Sequence, residues 1–218
     1  SGRRAALQCG GQKVGILIAR CVARRWLTRH AGPITIPERQ SMSDAKPKRK
    51  LLFTAHPAYP PEIGVWLLAL EDARQRTKQA LAGIAPAAID FAAPCIDNTI
   101  GALLYHIAAI EADWLYADVL EQPFPEAMAA QFPHDVRDAA GRLTAVVGVS
   151  LDDHLARLDA IRATLMEAFH TVSVADFRRV RHFDAYDVTP EWVLHHLCQH
   201  EAEHRGQISE ARRLAEAR

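Results

Sequence analysis

Four histidines fall within ten residues near the C-terminus of this 218-residue chain, in Trp192-Val-Leu-His195-His196-Leu-Cys-Gln-His200-Glu-Ala-Glu-His204-Arg-Gly-Gln207. His196, His200 and His204 are spaced four apart, and four helical residues turn about 400°, so each step drifts only about 40° around the axis. All three therefore share one helix face. Neutral imidazole is the commonest metal ligand, and two imidazoles one turn apart can close on a single ion. The chemistry this pattern points to is metal binding.

His200-Glu201-Ala-Glu-His204 also matches HExxH, in which two histidines hold zinc and the glutamate acts as general base. That reading needs a third ligand downstream. Only fourteen residues follow His204, none of them histidine, and Glu210 and Glu216 lie on the same helical tail. A protease is therefore not expected. A plain solvated face is the other rival, and Glu201, Glu203 and Arg205 fit one. His196, His200 and His204 align instead with Val193, Leu197 and Gln207, nearer the apolar stripe.

A site of this kind in a helical bundle must draw its third ligand from another helix. His106 is the leading candidate, because it sits among Leu103, Leu104, Ile107 and Ile110, where an unpartnered imidazole is costly to bury. His154 and His170 are the lesser candidates, and sixteen residues apart they cannot share a site.

Four amphipathic helices position these residues. The first follows Pro57, Pro60 and Pro61 and runs to a stop at Gly83. The second starts at Asp97-Asn98-Thr99 and keeps helical spacing through Ile100, Leu103, His106, Ile110, Trp114 and Leu120. The third opens at Ser150, with Asp153 completing an approximate capping box, and carries Leu151, Leu155, Leu158, Ile161, Leu165 and Phe169. The fourth has Thr189 as N-cap, Pro190 at its first position and Glu191 complementing the dipole, and extends to about Ala217, roughly 40 Å. Little strand signal appears, although short extended pieces are open between Ser173 and Val188. The fold class expected is all-α, a four-helix bundle. The 28-residue connection over 122–149, with a short helix expected around Val136–Val146, is long enough to cross the bundle between helices two and three. That permits an order other than up-down-up-down.

Composition is that of an ordinary globular protein, with 49% hydrophobic and 24% charged residues. Val14-Gly-Ile-Leu-Ile-Ala19, the best apolar run, is far short of the roughly 18–20 residues of a membrane span. Cys9, Cys21, Cys95 and Cys198 are scattered without a CxxC, which reads as reduced thiols in a cytoplasmic protein. A net charge of zero conceals a division. Residues 1–50 hold twelve Lys/Arg against Glu38 and Asp44, and the other 168 residues carry 14 basic and 24 acidic groups, a net of −10. Residues 1–50 are expected to be a basic extension outside the core, derived from a tag or from upstream sequence, with Met42 as an internal start. An accessory helix over 12–29 and a targeting or nucleic-acid-binding arm are the other readings. Nucleic acid is not an expected partner, since only Trp26 interrupts the basic run.

The string His196-Leu-Cys-Gln-His200-Glu-Ala-Glu-His204-Arg-Gly-Gln207-Ile208 resembles the terminal helix of the DinB/YfiT-like superfamily. Thr99-Ile-Gly-Ala-Leu-Leu-Tyr-His106-Ile-Ala-Ala-Ile-Glu-Ala-Asp-Trp114 is similar to that family's first ligand helix, and Ser150-Leu-Asp-Asp-His-Leu-Ala-Arg-Leu158-Asp-Ala-Ile-Arg162 to its third. The resemblance covers roughly residues 60–215 and makes 51–218 the metal-binding domain. It implies one divalent metal held by His106, His200 and His204, with His196 a turn earlier as a pocket or cofactor-contacting residue. Zn, Ni or Fe suits such nitrogen ligation, and Cu is compatible.

Three nitrogen ligands leave positions for water or substrate. Members of the family include transferases acting on low-molecular-weight thiols, so a metal-dependent S-transferase joining a small thiol to an electrophile is the leading expectation. Arg205 is then the candidate anchor for an acidic cofactor, and no general base stands out, Glu201 and Glu203 being compatible with a solvent-facing position. The alternatives are a non-catalytic metal-binding stress-response or interaction module, and a metal-dependent hydrolase. Many members dimerise, which places a second copy of the chain among the expected partners.

Overall fold

A computed structural model describes residues 52–217. The basic segment 1–50, the helix considered for 12–29, and Cys9 and Cys21 lie outside the described residues. The four expected helices are present as α1 (Pro61–Leu81), α2 (Ile100–Asp113), α4 (Leu151–Phe169) and α6 (Pro190–Glu216). Two single-turn helices, α3 (Glu126–Ala129) and α5 (Val174–Phe177), lie in the connections, together with the two-residue strands β1 (Arg181–His182) and β2 (Asp187–Val188). The fold is all-α, and no described helix is long and apolar enough to cross a membrane.

Local chemistry sets the helix starts. Thr99, Ser150 and Thr189 each accept a hydrogen bond from a backbone N–H three residues on, Ala102, Asp153 and Trp192, at 3.1 Å in all three cases. Pro61 and Pro190 occupy first positions, where the missing N–H costs nothing. Gly83, at φ +70°, follows α1 in the left-handed region. After Asp113, α2 widens into a π-helical turn over Trp114–Val119 rather than running on regularly to Leu120.

The connection between α2 and α4 holds no helix around Val136–Val146. Asp138 accepts the N–H groups of Ala140 and Arg142, Gly141 adopts φ +79°, and Arg137 bridges Leu143. The Asp side chain thus satisfies donors a helix would need, and the segment closes as a turn. It is anchored to α2, where the Tyr105 hydroxyl donates to the His134 carbonyl at 2.7 Å and accepts from the His134 N–H at 2.9 Å.

Side-chain contacts give the helix directions. Between α1 and α6 the pairs Trp66–His195, Arg74–Glu201 and Arg212–Ala80 advance together, so those helices are parallel. Arg157–Tyr105 and Arg162–Glu111 make α2 and α4 parallel. Tyr59–Met166 with Lys78–Asp159 sets α1 antiparallel to α4, and Trp114–Trp192 with His106–His204 sets α2 antiparallel to α6. The order is up-down-down-up, and the long connection carries the chain back along the bundle between the two parallel helices α2 and α4. In section the helices run α1, α6, α2, α4, which leaves α1 facing α2, and α4 facing α6, across the core.

The core is aliphatic for most of its length, with Ile63, Leu67, Leu70, Ile100, Leu165, Phe169, Val193, Leu194 and Ile208 inaccessible to solvent. α2 is buried on every side from Ile100 to Ala112, the pattern of a central helix. Asp118 and Arg181 are buried charged residues outside the bundle's centre, and within it charge enters with one residue from each bundle helix: Arg74, Glu111, Arg162 and Glu201. Arg74 meets Glu111 at 2.8 Å and Glu201 at 2.9 Å, and Arg162 meets Glu111 at 2.7 Å and Glu201 at 3.2 Å. The four form a closed ring of alternating sign. Burial alone would raise the Glu111 carboxyl, but the Arg162 and Arg74 guanidiniums outweigh it and hold the group below the usual carboxylate range.

Two glycines give opposite predictions. A Cβ on Gly64 would stand 2.7 Å from the His56 carbonyl oxygen and 3.0 Å from its nitrogen, whereas a Cβ on Gly206 in α6 meets nothing within 4 Å. Gly64→Ala should cost about 1–3 kcal/mol through overpacking. Gly206→Ala should add roughly 0.5–1 kcal/mol by removing a helix-interior glycine. Thermal unfolding should show the melting temperature moving in opposite directions.

Candidate metal centre

α2 and α6 bring His106, His200 and His204 together. His106 is buried at the middle of α2, while His200 and His204 are half-buried on the facing side of α6. The Nε2 atom of His200 lies 3.0 Å from Nε2 of His106 and 3.0 Å from Nε2 of His204. Among the described residues these three form a group whose possible donor atoms all lie within 4.8 Å of one another. Tetrahedral ligation at about 2.0–2.1 Å requires nitrogens roughly 3.3 Å apart, close to the spacing found.

The protonation of this cluster fits a cation. Burial, reinforced by the neighbouring imidazoles and Arg137, pushes the His106 pKa down to about 3 and that of His200 to about 2. His204 is lowered as well, first by burial, against the opposing influence of Gln207 and Glu203. All three rings are thus neutral near pH 7. Nδ1 of His204 lies 3.0 Å from the Gln207 Oε1, an acceptor, so Nδ1 carries the proton and Nε2 keeps its lone pair. His200 Nε2 has one proton at most to share between two neighbours, so one of their lone pairs lacks a donor. His106 Nδ1 is buried with no hydrogen-bond partner. An ion at the convergence point would satisfy all three lone pairs at once.

His196 is not part of the triad. Its ring stacks on Trp192, with centroids 5.0 Å apart and planes 5° apart, and packs against Trp114 at 5.1 Å and His200 at 5.7 Å. Trp192, His196, His200 and His204 therefore form a column of rings along α6. The π-helical turn of α2 begins at Trp114, which closes on Trp192 at 5.4 Å. Trp192 remains 46% exposed, so this aromatic shelf opens to solvent beside the triad.

Glu201 does not belong to a solvated face. It is 1% exposed and its carboxylate is held by Arg74 and Arg162 in the core. One residue is about 100° of helix, which turns Glu201 off the histidine face and into the ring. The HExxH match consequently lacks its general base. Glu203 is exposed. Arg205 donates to the Ala73 carbonyl on α1 at 3.3 Å and is not brought to the triad. His154 is buried on α4, its Nε2 without a partner, and His170 stacks on Tyr59 at 4.4 Å. Neither joins the triad.

Sequence reasoning missed three features. Arg137, exposed on the α2–α4 connection, acts electrostatically on all three triad histidines. The partnership of Trp114 and Trp192 joins two helices, and the π-helical turn that begins at Trp114 leaves no periodic signal. The charge ring did leave one: Glu111 is an acidic residue in the apolar run from Ile107 to Ala112 of α2.

A family model described as the DinB superfamily matches residues 69–208, more than half of the chain. No curated protein matches. Among solved structures, the crystal structure of the conserved protein of locus from Enterococcus faecalis is similar in fold, with a TM-score of 0.57 and 17% identity over 71% of this chain and 96% of that one.

The buried histidines make the metal-free protein acid-sensitive. His106, His200 and His154, the last lowered to about 4 chiefly by burial, bind protons less readily folded than unfolded. Their folded pKa values lie below the unfolded value near 6.5, so stability is full above pH 6.5 and falls as pH drops toward the folded values. His106 alone should account for a loss on the order of 2 kcal/mol by pH 5. Urea titrations of metal-free protein between pH 7.5 and 4.5 should show a steadily falling midpoint.

Proposed function

The chain belongs to the DinB superfamily, and from that premise we propose that it binds one divalent metal ion through His106, His200 and His204 and acts as a metal-dependent S-transferase on a small thiol. The observation that carries this reading is the convergence of three neutral Nε2 atoms from one buried and two half-buried histidines, with no fourth ligand in the group among the described residues. A divalent ion held by His106, His200 and His204 would supply Lewis acidity, lowering the pKa of a thiol or water so that a nucleophile would exist near pH 7.

The chain's own residues do the rest. Gln207 fixes the tautomer of His204 and so aims its Nε2. The Trp114, Trp192 and His196 rings give a planar or apolar electrophile a surface to lie on beside the triad. Arg137 adds positive charge in the neighbourhood of the triad, which favours a thiol carrying an acidic group. In the transfer, a sulfur lone pair forms the new carbon–sulfur bond as the bond from carbon to its leaving group breaks. The leaving group departs with that electron pair, and the thiol proton is lost to solvent. No carboxylate is free to activate water in the place an HExxH protease requires, since Glu201 is committed to the ring.

Elemental analysis of purified protein should find about one transition-metal ion per chain, lost in His200→Ala, and removal of residues 1–41 should leave that content unchanged. Gln207→Ala should weaken metal affinity about 10-fold or more by freeing the His204 ring. Screening small thiols against electrophiles should give a rate above that of the metal-free protein. Stoichiometric metal without such a rate would leave metal binding standing and remove the transferase reading.

A further inference from the structure

We propose that the ring Arg74–Glu111–Arg162–Glu201 is a positioning device for the histidine triad, holding α2 and α6 in the one axial register at which His106 meets His200 and His204. The inference rests on the metal-centre reading above and extends it to four residues whose hydrogen bonds go to one another, to Glu71 and to backbone rather than to the triad histidines.

The triad is split between two helices, so its geometry depends on how they slide along one another. Ligand distances in a metal site are held to about 0.2 Å, whereas a slip of one turn moves a helix about 5.4 Å. The aliphatic contacts between α2 and α6 are non-directional and resist small slips weakly. The ring is directional. Glu111 follows His106 by five residues on α2, and Glu201 follows His200 directly on α6. Both carboxylates face the same two guanidiniums, so moving either helix relative to the other stretches contacts at both arginines.

The arginines themselves are tied to backbone. Arg74 Nη1 donates to the Leu158 carbonyl of α4, and Arg162 Nη1 donates to the Leu70 carbonyl of α1 at 2.7 Å, with Glu71 at 3.1 Å as a further acceptor. Each guanidinium is thereby also tied to the backbone of the neighbouring arginine-bearing helix, α4 for Arg74 and α1 for Arg162. Planar guanidinium forks make this a rigid frame, which a lysine could not reproduce.

Energetics argue that the ring serves geometry rather than stability. Its side chains are 2–5% exposed, so four charges have been taken out of water. A buried ion cluster is often no more stabilising than well-packed apolar residues of similar volume, and its best-attested use is to specify one arrangement. Because the ring is electrically neutral, replacing all of it changes no net charge near the metal ion.

The test is the fourfold variant Arg74→Met, Glu111→Leu, Arg162→Met, Glu201→Leu, compared with wild type in three measurements. These are the melting temperature of the metal-free protein, Zn2+ affinity by chelator competition, and the visible spectrum of the Co2+-loaded protein. The expected result is a metal-free melting temperature equal to or above wild type, Zn2+ affinity reduced tenfold or more, and an altered Co2+ band. Arg162→Lys, which keeps the charge but loses the fork, should fold and show a weaker change of the same kind. Unchanged Zn2+ affinity and Co2+ spectrum in either folded variant would overturn the inference alone. A fourfold variant that does not fold would also count against it, by making the ring a stability element. A wild-type protein that takes up neither ion would remove the metal-centre reading, and this inference with it.

Discussion

Two arginines and two glutamates closed into a buried ring constrain this bundle more tightly than any apolar contact in it. Apolar surfaces can slide and repack at modest cost, but a charge-assisted hydrogen bond in a dry core tolerates little displacement before a charge is left unpaired. The topology makes that constraint necessary. In an up-down-up-down bundle, short loops join adjacent helices and limit their register. Here the connections span residues 82–99, 120–150 and 170–189, and two of them join helices that face each other across the core. The ring links both of those diagonals, Arg74 to Glu111 and Arg162 to Glu201, as well as two of the adjacent pairs.

The same dependence explains how one short string can support two incompatible readings. HExxH chemistry needs the glutamate beside the ion, taking a proton from water. In this chain His200 and His204 keep the spacing that such a site uses, while the intervening Glu201 turns about 100° from His200 and finds two guanidiniums waiting in the core. The arginines that claim it lie on α1 and α4, about 127 and 39 positions away in sequence. A five-residue pattern cannot report partners at that distance.

What the sequence made legible were the features set by local spacing. The i, i+4 column of His196, His200 and His204, the N-caps Thr99, Ser150 and Thr189, and the proline starts of α1 and α6 are all fixed within one turn of helix, and all are found. His106 was reachable because an imidazole among aliphatic residues demands a reason. Glu111 posed the same demand and went unread, since its partners, Arg74 and Arg162, come from two other helices. The segment around Val136–Val146 failed for the opposite reason. Its helical spacing was outweighed by the side chain of Asp138 and the left-handed Gly141, which favour a turn. The π-helical turn at Trp114 has no periodic signature, and with it the aromatic shelf escaped notice.

Electrostatics then narrow what the open side of the triad can accept. Both buried carboxylates nearest in sequence to the triad, Glu111 and Glu201, are neutralised by the arginines of the ring. Glu203 is the carboxylate that acts on His196 and His204, and it is exposed, where solvent screens it. A divalent ion bound by three neutral imidazoles would therefore keep nearly its whole charge, and Arg137 adds positive charge to the same neighbourhood. Such a position disfavours a neutral fourth ligand relative to an anionic one. The ring thus acts twice, by holding the histidines in register and by withholding the carboxylates that would otherwise quench the charge they gather.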